Sequence, residues 1–245
     1  MSAPPYPKIE NLYARKDDGR TLDIGVFRRL ETQLISTWLA TEKIDGTNIR
    51  VSLEETADFS MDWEVAFYGR TNKAQMPDFI QEYLEATFSL DKMRQLWRGQ
   101  KQCPKCRGGG FLTDSIRCEC VEPYSITLYG EAYGARIQKG GGDYRKSGDI
   151  SFRLFDALVV EKYWMSWGSV VGMADRLGIK TVPLLDYGQA KTDDIVSLVR
   201  EGFKSVVAEE EGTPRLAEGI VARTDPYLFD NNGRRVMFKT KTKDF

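Results

Sequence analysis

The run TEKIDGTNIRV, residues 41–51, sets Lys43 two residues ahead of Asp45 and follows them with Gly46 and Asn48. A lysine amine can serve as a covalent nucleophile when its environment disfavours the protonated form. Taken alone, K-x-D-G reads first as a β-turn carried by Asp-Gly. The rest of the chain narrows the chemistry. It holds no histidine. That excludes Ser-His-Asp and Cys-His nucleophile systems and every histidine-ligated metal site. Covalent or acid–base work must rest on Lys, Asp, Glu, Tyr or Cys, or on a hard metal ion held through oxygen.

A free lysine has a pKa of about 10.4 and is a poor nucleophile at neutral pH. Lowering that by about three units shifts the balance of its two forms by roughly 4 kcal/mol. Nearby cations do this by disfavouring a second positive charge. Lys239 and Lys241, in the run FKTK, and a bound divalent ion are the candidate sources. The same cations would offset charge on a phosphoryl group in its transition state. Glu131 and Glu218 supply oxygen ligands suited to Mg²⁺. Each residue also has a purely structural reading. The two glutamates could end exposed strands, and Phe155 could be core. The two lysines could share one face of an edge strand, where charge discourages aggregation.

The elements that must position these residues are mixed. WLATEKIDGTNIRVSLEE reads as two strands around a turn. In the second, Ile49, Val51 and Leu53 alternate with polar residues. WEVAFYGR (63–70) is a third strand. PDFIQEYLEATF (77–88) reads as a helix with Pro at its first position, and Phe79, Ile80, Tyr83 and Leu84 share a face. Strands return at 125–134, 150–160, 218–224 and 234–242, with helices at 169–179 and 192–203. Thr192 is the expected N-cap of the last helix. Residues 1–20, rich in proline and charge, read as a loosely held arm. No regular βαβ alternation is present, so an α+β architecture with largely antiparallel sheets is expected.

The 245 residues suit one large domain, and 41% hydrophobic with 29% charged residues is ordinary for a globular chain. The net charge of −1 gives no global basic field. GRRVMFKTKTK and KGGGDYRKSG are nonetheless basic, and local patches can hold phosphates. No apolar run is long enough for a membrane span. MSAPPYPKIE lacks a secretory pattern, so a cytoplasmic setting is expected.

CPKCRGGGFLTDSIRCEC pairs Cys103 with Cys106 as C-x-x-C and Cys118 with Cys120 as C-x-C. Four thiolates across a glycine-rich knuckle suit tetrahedral structural Zn²⁺. Two disulfides or free thiols are the alternatives, and a cytoplasmic chain argues against disulfides. Lys101, Lys105, Arg107 and Arg117 make the knuckle basic, so it either touches nucleic acid or only staples the fold.

TEKIDGTN, FYGRT, LYGEAYG, FRLFDALV, EGIVAR and FKTK follow one another from Thr41 to Lys241. This ordered set resembles the covalent nucleotidyltransferase superfamily of polynucleotide ligases and RNA capping enzymes. It is closest to the RNA ligase 2-like branch. The resemblance implies an α+β, ATP-grasp-like ligase core over residues 1–245, with residues 101–123 as an insertion. Only four residues follow Lys241, so neither an OB-fold nor a helical C-terminal domain is expected.

The resemblance also implies roles. Lys43 would attack the α-phosphorus of ATP and form lysyl-AMP. Glu42 would lie beside the adenine. Asn48 and Arg70 would contact the nucleotide and then an RNA 5′-phosphate. Glu131 would hold the ribose. Phe155 would stack on the adenine, with Asp156 beside it. Glu218 would help place Mg²⁺ or Mn²⁺, and Lys239 and Lys241 would grip the α-phosphate. Asp45 and Gly46 complete the lysine turn. The partners implied are ATP and RNA with 5′-phosphate and 3′-OH ends. The branch often carries His where Asp45 stands, and the Asp form resembles DNA ligases and capping enzymes. Asn48 favours the RNA ligase branch. A DNA ligase core or a capping guanylyltransferase is the nearest alternative. A zinc-bearing nucleic-acid-binding protein with an inactive ligase fold is the non-enzyme alternative.

Overall fold

In the computed structural model, residues 3–56, 63–96, 111–113, 116–117, 125–134, 137, 144–145 and 149–245 are described. The strands in chain order are β1 (Tyr13–Arg15), β2 (Leu22–Phe27), β3 (Trp38–Lys43), β4 (Thr47–Glu55), β5 (Trp63–Tyr68), β6 (Phe111–Thr113) and β7 (Ile116–Arg117). They continue as β8 (Ile126–Gly134), β9 (Ile150–Val159), β10 (Tyr163–Trp164), β11 (Lys180–Thr181), β12 (Leu184–Ala190), β13 (Gly219–Arg223) and β14 (Met237–Lys241). The helices are α1 (Asp78–Thr87), α2 (Leu90–Gln95), α3 (Trp167–Leu177), α4 (Thr192–Glu201) and α5 (Val206–Glu210). The mixture is α+β, and every strand pairing detailed below is antiparallel, as the alternation of the sequence suggests.

Contacts divide the chain into two compact units. One comprises residues 6–47, 131–153 and 181–245. Its sheet has the order β12-β3-β13-β14 and is antiparallel throughout. Side chains alternate across a strand, so one face collects Trp38, Ala40, Ile220, Ala222 and Phe238. All five are buried. They form one core with Ile195, Val196 and Val199 of α4. Each buried valine, isoleucine or phenylalanine among them contributes about 1.5–3 kcal/mol when removed from water. Trp38 packs edge-on against Phe238, centroids 4.8 Å apart.

Thr192 begins α4 rather than capping it. Lys191 occupies the cap position without a side-chain bond. The Thr192 hydroxyl instead accepts the Trp38 indole N–H at 2.9 Å. A buried indole needs an acceptor, and that need outweighs the cap.

The N-terminal segment is not loose. Lys239 N–H donates to the Glu10 carbonyl at 2.9 Å, and Leu12 N–H donates to the Lys239 carbonyl at 3.1 Å. These residues run parallel to β14 along its outer edge. Leu12, Tyr13 and Leu22 enter the core, and that burial outweighs the surrounding proline and charge.

The other unit comprises residues 1–5, 48–130 and 154–180. Its sheet has the order β10-β9-β8-β4-β5, with β11 on β9. β4 and β5 are antiparallel, with Arg50 opposite Tyr68. Ile80 and Leu84 of α1 are buried, on the face read from the sequence. Pro77 sits at the cap of α1, one residue earlier than expected. Arg50 is fully buried and donates to the carbonyls of Ala3 and Gly69. Tyr129 Oη donates to the Pro4 carbonyl at 2.9 Å. The first residues are thus tied into this unit as well.

β3 and β4 belong to different sheets. Residues 44–46 therefore connect sheets and close no hairpin between these strands. β6 and β7 pair as a short antiparallel ribbon. Cys103, Cys106, Cys118 and Cys120 lie outside the described residues. Among the described residues no helix is long and apolar enough to cross a membrane.

Leu12→Ala tests the anchoring of the N-terminal segment. The expected cost is about 2–5 kcal/mol, the range for a buried leucine, read from urea unfolding midpoints. A loss under about 1 kcal/mol would return residues 1–20 to the loose arm.

Candidate active site

One row of the four-stranded sheet carries the candidate nucleophile. Lys43 on β3 is opposite Gly219 on β13, and Gly219 is opposite Lys241 on β14. Both lysines leave the face opposite the core, because Glu42 and Thr240 alternate with them. Gly219 keeps the space between them clear. A Cβ there would stand 2.1 Å from the Thr240 carbonyl oxygen and 2.7 Å from Lys241 Cα, so no larger residue fits.

Glu218 spans this gap. Its Oε2 lies 2.5 Å from Lys43 Nζ and its Oε1 lies 2.6 Å from Lys241 Nζ. The three side chains are 21%, 13% and 20% exposed, so water screens them only in part. Burial alone would raise the Glu218 carboxyl. Lys43 and Lys241 outweigh it and hold the group below the usual carboxylate range. The carboxylate therefore occupies Lys43 Nζ in this structure.

Glu131, on β8, stands on the other side of the lysine turn. Burial pushes its carboxyl up to about 7. Lys43 and the bond from the Gly46 N–H pull it back, while Glu218 and Asp45 push it further up. Gly46 is required for this approach. A Cβ on it would lie 2.2 Å from the Ala132 carbonyl oxygen and 2.9 Å from Glu131 Cγ. The glycine of the motif therefore lets the turn rest against β8 and offer its N–H to Glu131.

Lys239 lies two residues before Lys241 on the same face, opposite Val221. It is half-buried and acts electrostatically on Glu10 of the N-terminal segment. Its strand is not a bare edge, because residues 10–12 cover it. Asp45 is half-buried, and its N–H donates to Tyr144 Oη at 3.2 Å.

Glu42 leaves the opposite face from Lys43. It is 1% exposed and accepts bonds from the Ser205 hydroxyl at 2.5 Å and the Val206 and Val207 N–H groups at 2.9 and 3.3 Å. Its carboxylate holds the start of α5. Burial raises its pKa despite these bonds.

Four more residues singled out by the sequence belong to the other unit. Asn48 is half-buried, and its Oδ1 has no hydrogen-bond partner among the described residues. Arg70 is exposed. Phe155 is half-buried, between buried Leu154 and Asp156, so it is not sealed in the core. Asp156 accepts the Ala157 N–H at 3.0 Å.

Sequence reasoning missed Tyr144 and Ser205 as supports of the site. Tyr144 fell inside a run read only as basic, and Ser205 carried no motif. Their roles arise from partners 99 and 163 residues away in the chain.

One face of an antiparallel sheet thus joins a lysine, a glutamate and a second lysine. The family model described as RNA ligase matches residues 36–241, and the chain belongs to that family. No curated protein sequence matches the chain. Among solved structures, it is similar to a glutamate-to-alanine variant of Naegleria gruberi RNA ligase with ATP and Mn. The TM-score is 0.57 at 14% identity, over 98% of this chain and 59% of that one. A lysine-to-alanine variant of the same ligase with ATP and Mn gives 0.55 at 15% identity, over 100% and 64%. A lysine-to-methionine variant with AMP and Mn gives 0.52 at 15% identity, over 85% and 50%. The chain thus spans about half to two thirds of the length of the ligases it matches.

Glu131 makes a pH prediction. Its folded pKa, about 7, is above the ordinary 4.5. Between those values the folded chain binds more protons than the unfolded one. Its contribution to stability is therefore full below about pH 4.5 and lost as pH rises through about 7. Glu131→Gln should flatten that part of the curve, read from urea midpoints between pH 5 and 8. Parallel curves for variant and wild type would contradict the raised carboxyl.

Proposed function

We propose that the protein is an ATP-dependent RNA ligase acting through lysyl-AMP. The observation that carries this reading is the sharing of Glu218 between Lys43 and Lys241, in a chain of the RNA ligase family. Lys43 Nζ forms a bond to the α-phosphorus of ATP, the bond to pyrophosphate breaks, and the amine gives up a proton. Glu131, with a carboxyl near neutrality beside Lys43, is suited to take it. An oxygen of an RNA 5′-phosphate then attacks the same phosphorus, the bond to Lys43 Nζ breaks, and the amine leaves with a proton regained. A 3′-OH attacks that end, a phosphodiester forms and AMP leaves.

Lys241 bears on the same chemistry. Once Glu218 turns away, its ammonium group faces the phosphate across Gly219, and a preorganised cation stabilises charge as it develops. Lys239, on the same face, extends that cationic strip. Asn48, Arg70, Phe155 and Asp156 are assigned to nucleotide and 5′-phosphate binding on the ground of the family motifs. Glu42 is assigned to the nucleotide site through its backbone, since its carboxylate holds α5.

Glu218 fits a hard divalent cation. Among the described residues no three metal-ligating side chains gather. Mg²⁺ and Mn²⁺ suit such a sparse set, since Mg²⁺ is commonly held by one or two carboxylates with substrate phosphates and water. Mn accompanies ATP in the similar Naegleria ligase, which supports this choice. When bound, the ion supplies charge neutralisation at the phosphates. Structural zinc on Cys103, Cys106, Cys118 and Cys120 rests on their spacing.

Two experiments check the reading. With α-labelled ATP and Mg²⁺, the wild-type protein should acquire a covalent label and Lys43→Ala none. Lys241→Ala should slow labelling by roughly 10²-fold, the scale of one preorganised charge partner. A labelled Lys43→Ala protein would overturn the mechanism. Use of labelled GTP in place of ATP would point to a capping enzyme, and sealing of DNA ends alone to a DNA ligase.

Metal analysis should find about one zinc per chain, lost in Cys103→Ser, because four thiolates at this spacing form one tetrahedral site. A zinc-free protein with four titratable thiols would remove zinc from the proposal.

A further inference from the structure

The residues on either side of Lys43 are tied, independently, to one stretch of chain. On one side is Glu42, buried and bonded to Ser205, Val206 and Val207. On the other is Asp45, whose N–H reaches Tyr144 Oη. Tyr144 is fully buried. Its carbonyl accepts the Thr213 hydroxyl at 2.7 Å. Its ring lies 4.7 Å below the Arg215 guanidinium and meets Tyr133 edge-on at 5.6 Å. Burial pushes its phenol up to about 12, so at neutral pH it is uncharged and its oxygen can accept.

The stretch itself is fixed at its far end. Arg153 donates to Glu210 at 2.8 Å and to Tyr133 Oη at 3.1 Å. Tyr133 Oη in turn donates to Glu211 at 3.0 Å. The start of α5 holds Glu42 and its end is held by Arg153. Residues 205–215 therefore grip one end of the turn that presents Lys43 directly, at Glu42, and the other through Tyr144, and all these groups lie in one unit.

We propose that Tyr144 is a positioning residue for Lys43, acting through the Asp45 backbone, with residues 205–215 as the frame that holds it. This rests on the lysyl-AMP reading above. A lysine side chain is long and flexible, so its reach is set by where the backbone places its Cα. In-line attack needs reacting atoms about 3–3.5 Å apart, and a 1 Å error can cost about 10²-fold. The role belongs to one step. Lys43 Nζ is the nucleophile only in adenylylation. When RNA already carries AMP, joining neither forms nor breaks a bond to Lys43. Misplacing Lys43 must then slow adenylylation more than joining.

Tyr144→Phe tests this, because it keeps the ring against Tyr133 and Arg215 and removes only the acceptor for Asp45. At saturating ATP, its single-turnover rate of adduct formation should fall about tenfold or more. The ATP concentration giving half that rate should stay within about twofold of wild type, since uniform binding is untouched. Joining of pre-adenylylated RNA should fall by clearly less than adduct formation. Thr213→Val, which leaves the tyrosine in place and frees its carbonyl, should show the same split in weaker form. It decides the matter if Tyr144→Phe does not fold. A normal adduct rate in the folded variants overturns the inference alone. So does an equal loss in both steps. A wild-type protein that forms no adduct overturns the lysyl-AMP reading and the inference with it.

Discussion

A single half-buried carboxylate stands between two ammonium groups, and the sheet around it is arranged to make that possible. Glu218 can bridge Lys43 and Lys241 only because the strands carrying them flank β13 in exact antiparallel register. The bridge also needs an empty position between the lysines, which Gly219 supplies. Charges screened only in part by water interact more strongly than exposed ones. Lys43 Nζ is therefore held in a pair, and in the proposed mechanism that pair opens before the amine attacks. One carboxylate thus orders two cations.

The other face of the same sheet has the opposite task. Trp38, Ala40, Ile220, Ala222 and Phe238 pack against α4 and hold the strands in register. A one-residue slip would turn every charge on the lysine face into this core. Register is therefore set by apolar burial, and the charged face follows a register it does not itself maintain. Glu42 is the exception on the buried face. It is an acid in an apolar layer, satisfied by a hydroxyl and two backbone N–H groups at the start of α5. Buried polar groups persist when so bonded, and here the bond also fixes the end of the lysine strand.

The outer edge of β14 shows a related economy. Residues 10–12 bond along it, so the strand bearing Lys239 and Lys241 is not an open edge. That cover leaves Lys239 and Lys241 at their face positions while satisfying backbone groups that would otherwise invite pairing with another chain.

Part of the candidate site's arrangement was legible in the sequence. Lys43, Asp45, Gly46, Glu218 and Lys241 stand in ordered motifs, and strand alternation put Lys239 and Lys241 on one face. The absence of histidine restricted covalent and acid–base chemistry to Lys, Asp, Glu, Tyr or Cys, or to a metal ion held through oxygen. Local patterns also carried β4, β5, β8, β9, β13, β14, α1, α3 and α4, because side-chain period reflects which face is buried. What local pattern could not show was which groups meet. Thr192 looks like a cap until a distant indole claims its hydroxyl. Residues 1–20 look like an arm until Leu12 finds the core. Glu42 looks like a neighbour of the lysine until alternation and α5 take it to the other face. The bridge through Glu218, the raised Glu131 carboxyl and the hold of Tyr144 on Asp45 depend on segments 85–175 residues apart. Sequence determines side-chain type and period, which are local properties. Distance, burial and the partner of each charge belong to the packed chain, because only packing removes the water that would otherwise serve every group alike.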